Sequence, residues 1–256
     1  MVFPYLISKF SPRSTRYFFT QYNDNTYRIT RVRSCKESGW EEMKQTQDNF
    51  IIPQVESDES LRCSLSRTKR RIRELALSND FEYFITVTVN SELADRYNLD
   101  ICQDLLKKTI KAYKRKYNDL SYIFITEKHK DGAFHFHGLI KGLSSDDLYT
   151  NSNGYLSSHF FDKVGFNSFS KIRDYNKCCN YILKYITKDC VKNSNNQIYI
   201  RSRNLKEPLH YEIAPLPTDF EWKYSNDYVD IADFCNLEMT SQELLKKIFD
   251  EKIREI

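Results

Sequence analysis

Two runs in this chain alternate between apolar and polar positions with the period of a β-strand. They are Phe84-Ile85-Thr86-Val87-Thr88-Val89 and Ala133-Phe134-His135-Phe136-His137-Gly138-Leu139-Ile140. Side chains leave opposite faces of a strand in turn, so each run predicts a strand with one packed face and one face carrying chemistry. A third run, Ser121 to Glu127, is dense in β-branched and aromatic residues and predicts the strand that precedes the histidines. Helical spacing appears near residues 100 to 117 and again from Asp174 to Asp189, and an amphipathic stretch runs from Ser241 to Ile253. A short hairpin is expected over Tyr17 to Arg33, a strand over Ile198 to Arg201, and a loop over the Ser-, Asn- and Gly-rich residues 144 to 158. The resulting order predicts an α+β fold. In it an antiparallel β-sheet has helices packed mainly on one face, leaving the other to carry the chemistry.

The histidine strand is the sharpest chemical signal. His135 and His137 are two apart and share a strand face, and burying two imidazoles together is costly unless something pairs with both. A hydrogen-bonded pair at a sheet edge would serve, and so would a divalent cation. The turn decides which residues join them. Lys130-Asp131-Gly132 as a three-residue loop with Gly132 left-handed sets Glu127 opposite His135, and the carboxylate then shares the imidazole face. A two-residue loop would pair Glu127 with Phe136 and point it away. With the first register, Glu127, His135 and His137 offer one oxygen and two nitrogens. That set suits Mg²⁺ or Mn²⁺ bridging to phosphate and would also accept softer divalent ions.

On the Asp174 to Asp189 helix, Tyr181, Lys184, Tyr185 and Lys188 fall in one stripe at about 100° per residue. An amphipathic helix with tyrosines at its boundary and lysines reaching into water has this pattern. So does a pair of phenol nucleophiles, because a tyrosine needs nearby cations to attack a phosphate at neutral pH.

Charge adds a direction to this picture. The chain carries a net charge of +4, but Thr218 to Ile256 holds ten acidic and five basic residues, which leaves nine net positive charges on the rest. Basic residues cluster from Arg62 to Arg73 and from Lys107 to Lys116. The first cluster, with Arg67, Lys69, Arg70 and Arg71, reads as a DNA-backbone contact, and the second equally well as the wet face of a crossing helix. Thr86, Thr88, Arg201 and Arg203 are further candidates for DNA contact. The seven cysteines show no zinc spacing, and their odd number without an export signal points to reduced thiols in a cytoplasm, with no membrane segment.

Taken in order, Phe-Ile-Thr-Val-Thr, an acidic residue eight positions before His-Phe-His-Gly-Leu, and Tyr-x-x-Lys-Tyr-x-x-Lys resemble the rolling-circle replication initiators of the HUH endonuclease superfamily. Those of small single-stranded DNA phages and related plasmids are the most alike. The resemblance spans roughly Arg67 to Pro208 and implies an HUH endonuclease domain at 61–212, between an extension at 1–60 of unassigned role and an acidic tail at 213–256. It further implies Glu127, His135 and His137 as metal ligands, Tyr181 and Tyr185 as nucleophiles, and Lys184 and Lys188 at the scissile phosphate. The implied activity is metal-dependent nicking and rejoining of single-stranded or hairpin origin DNA through a 5′-phosphotyrosine, in a bacterial host cytoplasm. With no phosphate-cradling G-x-x-x-x-G-K-[ST] loop, the host would supply helicase and DNA polymerase. Competing readings are an HUH transposase or relaxase, a non-catalytic DNA-binding module, and a metal hydrolase without a covalent intermediate.

Overall fold

The computed structural model describes residues 15–24, 26–32, 58–187, 198–213, 215–216, 224–225 and 229–235. Lys188, the Asn193 to Gln197 segment and the expected helix from Ser241 to Ile253 lie outside them. No helix among the described residues is long and apolar enough to cross a membrane. The chain divides into two compact units, one over Glu56–Glu207 and one formed by its two ends.

In the end-formed unit, β1 (Arg16–Asn23) and β2 (Thr26–Val32) make the expected hairpin. Strands from the far end, β10 (Leu209–Ile213), β11 (Tyr224–Ser225) and β12 (Val229–Cys235), complete a five-stranded antiparallel sheet in the order β10-β1-β2-β12-β11. The sequence reading treats the two ends as separate segments, whereas their strands join in one sheet. Phe19, Tyr27, Ile29, Ile213 and Leu216 pack together there, and burial pushes the Tyr27 hydroxyl up to about 12.

The larger unit is built on a seven-stranded antiparallel sheet. Its chain order begins with α1 (Asp58–Leu77), β3 (Tyr83–Val89), α2 (Leu99–Lys116), β4 (Ser121–Lys128) and β5 (Phe134–Lys141). It continues with β6 (Leu148–Thr150), β7 (Leu156–Ser158), β8 (Gly165–Lys171), α3 (Tyr175–Ile182) and β9 (Tyr199–Arg201). Across the sheet the order is β6-β7-β8-β3-β5-β4-β9. The α+β class is therefore as expected. Two details differ: the 144–158 segment holds the β6–β7 hairpin, and β8, which pairs along the whole of β3, has no counterpart in the sequence reading. Its polar run Asn167-Ser168 with one buried aromatic, Phe169, is too weakly periodic to announce a strand alone.

One sheet face is a dense core. Ile85, Val87 and Val89 of β3, Phe124 of β4, and Phe134, Phe136 and Ile140 of β5 pack against Cys102, Leu106, Ile110 and Tyr113 of α2. Asn98 caps α2, its side chain accepting from the backbone N–H groups of Asp100 and Ile101. Lys107, Lys108 and Lys111 are exposed on the opposite side of α2, as a helix crossing a sheet requires. Gly138 makes close layering possible here, because a Cβ at that position would lie 2.6 Å from the Phe124 ring.

The histidine face is not bare. The turn after α3 reaches across it, and Ile123, Ile125 and Leu139 on that face are fully buried. Helix α1 packs beside α3, where the Tyr175 hydroxyl donates to the Ala76 carbonyl at 2.6 Å and accepts from the Phe81 N–H. Helices are thus shared between the two faces. Three apolar side chains pointing to the supposed open side need a cover, which a reading of the histidines and threonines alone overlooks.

Candidate active site

The β4–β5 turn has the geometry that places an acid beside the histidines. Gly132 has φ of +90°, its N–H donates to the His129 carbonyl, and the His129 N–H donates to the Ala133 carbonyl. Ala133 and His129 thereby close the loop, and Glu127 pairs with His135 and Ile125 with His137. On the other side of β5, Thr86 pairs with His137 and Thr88 with His135. Directly paired residues share a face, so the two threonines, two histidines and Glu127 form one patch.

Contacts within the patch are short and specific. The Thr86 hydroxyl lies 3.2 Å from His137 Nδ1, and the Thr88 hydroxyl 3.0 Å from His135 Nδ1. Glu127 Oε2 accepts from His137 Nε2 at 2.7 Å. Burial is the main influence holding both imidazoles below the ordinary histidine range, partly offset at His137 by Glu127. A neutral His137 with its proton on Nε2 must accept at Nδ1, so Thr86 is the donor in that pair. The threonines expected to touch DNA instead hold imidazoles. A hydroxyl either donates or accepts, so each threonine can serve either tautomer of its histidine.

His129 is the residue that sequence reasoning missed. Its ring stacks on His135 at 3.8 Å between centroids, and its Nε2 lies 3.8 Å from Glu127 Oε2. The signal was available, since His129 follows Glu127 by two and leaves β4 on the same face.

Helix α3 opens at Asp174, whose side chain accepts from the Lys177 N–H. It stops at Ile182 and tightens into a 3₁₀ turn over Leu183–Tyr185, shorter than the expected Asp174 to Asp189. Ile186 is extended, ending the turn. Both tyrosines still meet the patch. The Tyr185 ring stacks on His137 at 3.6 Å, and its hydroxyl donates to the Tyr181 hydroxyl at 2.8 Å. Tyr181 meets Phe84 edge-on at 5.5 Å and carries the Lys184 ammonium 4.8 Å over its ring. Burial, with the hydrogen bond to Tyr181 second, pushes the Tyr185 hydroxyl well above the ordinary phenol range. Tyr181 is 43% exposed and is the more accessible phenol.

Arg71 and Arg201 share one partner, Glu207, with N–O distances of 2.6 and 3.4 Å. Arg70 lies 3.9 Å from Glu74. These three sit in ion pairs at the α1 and β9 surface rather than against the histidines. Arg67 and Arg203 are exposed, and Lys69 is half-buried on α1.

Among the described residues no three His, Cys, Asp or Glu side chains converge as a ready-made metal cage. The patch fits a divalent ion in donor type and in its supporting layer: two imidazoles with Nδ1 engaged by hydroxyls, and a carboxylate at hydrogen-bond distance from one Nε2. An ion would replace the Glu127–His137 hydrogen bond.

Comparison with known proteins bears on the same residues. The model of a replication-associated protein family, the ORF2 type, matches residues 82–190. That span holds Thr86, Thr88, Glu127, His135, His137, Tyr181, Lys184, Tyr185 and Lys188, and leaves out the α1 basic cluster, Arg201 and Arg203. No curated protein and no solved structure matches the chain. The similarity points to DNA replication as the process this chain serves.

Proposed function

We propose that this protein starts replication by nicking single-stranded origin DNA through a tyrosine and later rejoins the strand, as an endonuclease of the HUH type. The observation that carries this reading is the meeting of two distant segments. A pair of hydrogen-bonded phenols from residues 181–185 rests on an imidazole from residues 134–141, beside a carboxylate. A structural helix would need neither the stack nor the linked hydroxyls.

Glu127, His135 and His137 would hold Mg²⁺ or Mn²⁺, which when bound supplies Lewis-acid polarisation of a phosphate oxygen. With an ion on Nε2, the His137 proton resides on Nδ1, and Thr86 accepts it where it previously donated. Tyr181 is the first nucleophile. Its oxygen already accepts a hydrogen bond from Tyr185, and the Lys184 ammonium favours the phenolate. Attack by the Tyr181 oxygen forms a tyrosine–phosphorus bond and breaks the phosphorus bond to the 3′-oxygen. The phenol proton leaves and the departing 3′-oxygen takes up a proton, so a free 3′-hydroxyl remains to prime synthesis. Tyr185, whose proton is held by burial, then acts at the regenerated site, and the new 3′-hydroxyl attacks the first phosphotyrosine to close the strand. Arg67, Lys69 and Arg203 supply backbone contact to the DNA, while host helicase and polymerase extend the primer.

Incubation with labelled single-stranded oligonucleotides covering the element's own intergenic DNA, with Mn²⁺ or EDTA, tests the reading. An adduct that survives denaturant, requires metal, and disappears in Tyr181→Phe with Tyr185→Phe is expected. Metal-dependent cleavage without any adduct would overturn it in favour of a hydrolase.

A further inference from the structure

Strand β8 carries a feature unrelated to the metal ligands. Along Gly165–Lys171 the even-numbered side chains share the face of Thr86 and Thr88, because Thr88 pairs with Phe166 and Thr86 with Ser168. Here the sheet is open: Phe166 is 46% exposed, Ser168 half-buried and Ser170 exposed. A phenylalanine among serines on an open face gains little from burial. Tyr155, 56% exposed, meets it edge-on at 6.4 Å with the ring planes at 89°. Tyr155 is fixed by its backbone, which donates to the Asn151 side chain and accepts from the Asn151 N–H. In an edge-to-face pair, the ring offering its edge keeps both of its own faces uncovered by that contact.

Thr88 pairs with Phe166 on one side and with His135 on the other. Phe166 therefore stands two strand spacings from His135, roughly 10 Å, on the same face. Unpaired bases stack on exposed aromatic rings carried by open sheets, and they do so whatever the base. The nine net positive charges outside the acidic C-terminal stretch suit a polyanion.

We infer that Phe166 and Tyr155 form a stacking subsite for an unpaired nucleobase of the DNA strand whose phosphate lies at the histidine patch. The inference rests on the single-stranded DNA reading above and adds where that strand is held. Binding energy is thereby placed away from the reacting atoms, on rigid strand and turn positions.

The test needs neither metal nor cleavage. Fluorescence anisotropy of a labelled dT oligonucleotide of about 16 nucleotides is followed with the full-length protein in EDTA at fixed salt. Phe166→Ala is expected to weaken binding by roughly 5- to 150-fold, with a loss in the same direction for Tyr155→Ala. Phe166→Trp is expected to keep the affinity, with its added indole fluorescence quenched by the strand. An abasic strand of equal length should bind the parent and Phe166→Ala equally. Equal dT affinity of the parent and Phe166→Ala, or an abasic strand bound by the parent as tightly as dT, overturns the inference. A missing adduct in the metal-dependent assay would overturn the nuclease reading instead and leave a Phe166-dependent affinity standing.

Discussion

The two faces of strand β5 show how one short segment is divided between stability and chemistry. Phe134 and Phe136 point into the α2 core, and Phe136 is completely buried. His135 and His137, between and beyond them, meet threonines, a carboxylate and a phenol. The core face is interchangeable in chemistry but strict in volume; the histidine face is the reverse. Gly138 marks where the two demands meet, since its missing Cβ admits the Phe124 ring immediately after the second histidine.

The largest effect expected on the chemical face is loss of the DNA adduct. Tyr181→Phe with Tyr185→Phe should lower adduct formation by at least about 10³-fold with an unchanged unfolding midpoint. Tyr181→Phe alone should abolish the first cleavage, whereas Tyr185→Phe should spare it and stop the second round. Gel analysis of single-turnover and recycling reactions separates the two, and equal first-round loss in both single variants would reverse the assigned order.

On the core face, Phe136→Ala should cost about 3–5 kcal/mol in denaturant unfolding, because no neighbouring helix can close the void fully. Its neighbour His135→Ala should cost far less without metal, since the removed ring is partly exposed. A His135→Ala variant as unstable as Phe136→Ala would break the division of the strand.

Metal should stabilise only through the chemical face. At a hundred times its dissociation constant, Mn²⁺ should add about 2.7 kcal/mol to the unfolding free energy, and His137→Ala should remove that gain. Thr86→Val, which keeps shape and deletes the hydroxyl, should weaken Mn²⁺ binding by about 10- to 100-fold in calorimetry while leaving the metal-free stability nearly unchanged.

The smallest effect concerns pH. Both imidazoles are held below the ordinary histidine range mainly by burial, so the unfolded chain binds protons first on acidification. The contribution to stability is complete above the unfolded value of about 6.5 and declines as pH falls toward the folded value. Replacing both histidines by glutamine should flatten this part of the metal-free stability profile.

Local sequence determined a good deal of this molecule. The strand at Tyr83–Val89, the α2 helix, the β4–β5 register with Glu127 opposite His135, and the β1–β2 hairpin all follow from short-range patterns. Alternation assigns faces, and an Asp-Gly turn fixes pairing, so neither needs the rest of the chain. What depended on long-range pairing was decided only by the tertiary structure. β8 is defined by its partner β3 rather than by its own periodicity, and strands from the two ends join one sheet although nearly two hundred positions separate them. Helix α3 ends early where its residues stop packing as an α-helix, and the rings of Tyr185 and His137 meet because two elements cross. Thr86 and Thr88 could be placed on the right face from sequence, but their partners could not, since a hydroxyl's role is set by whichever polar group the neighbouring strand delivers.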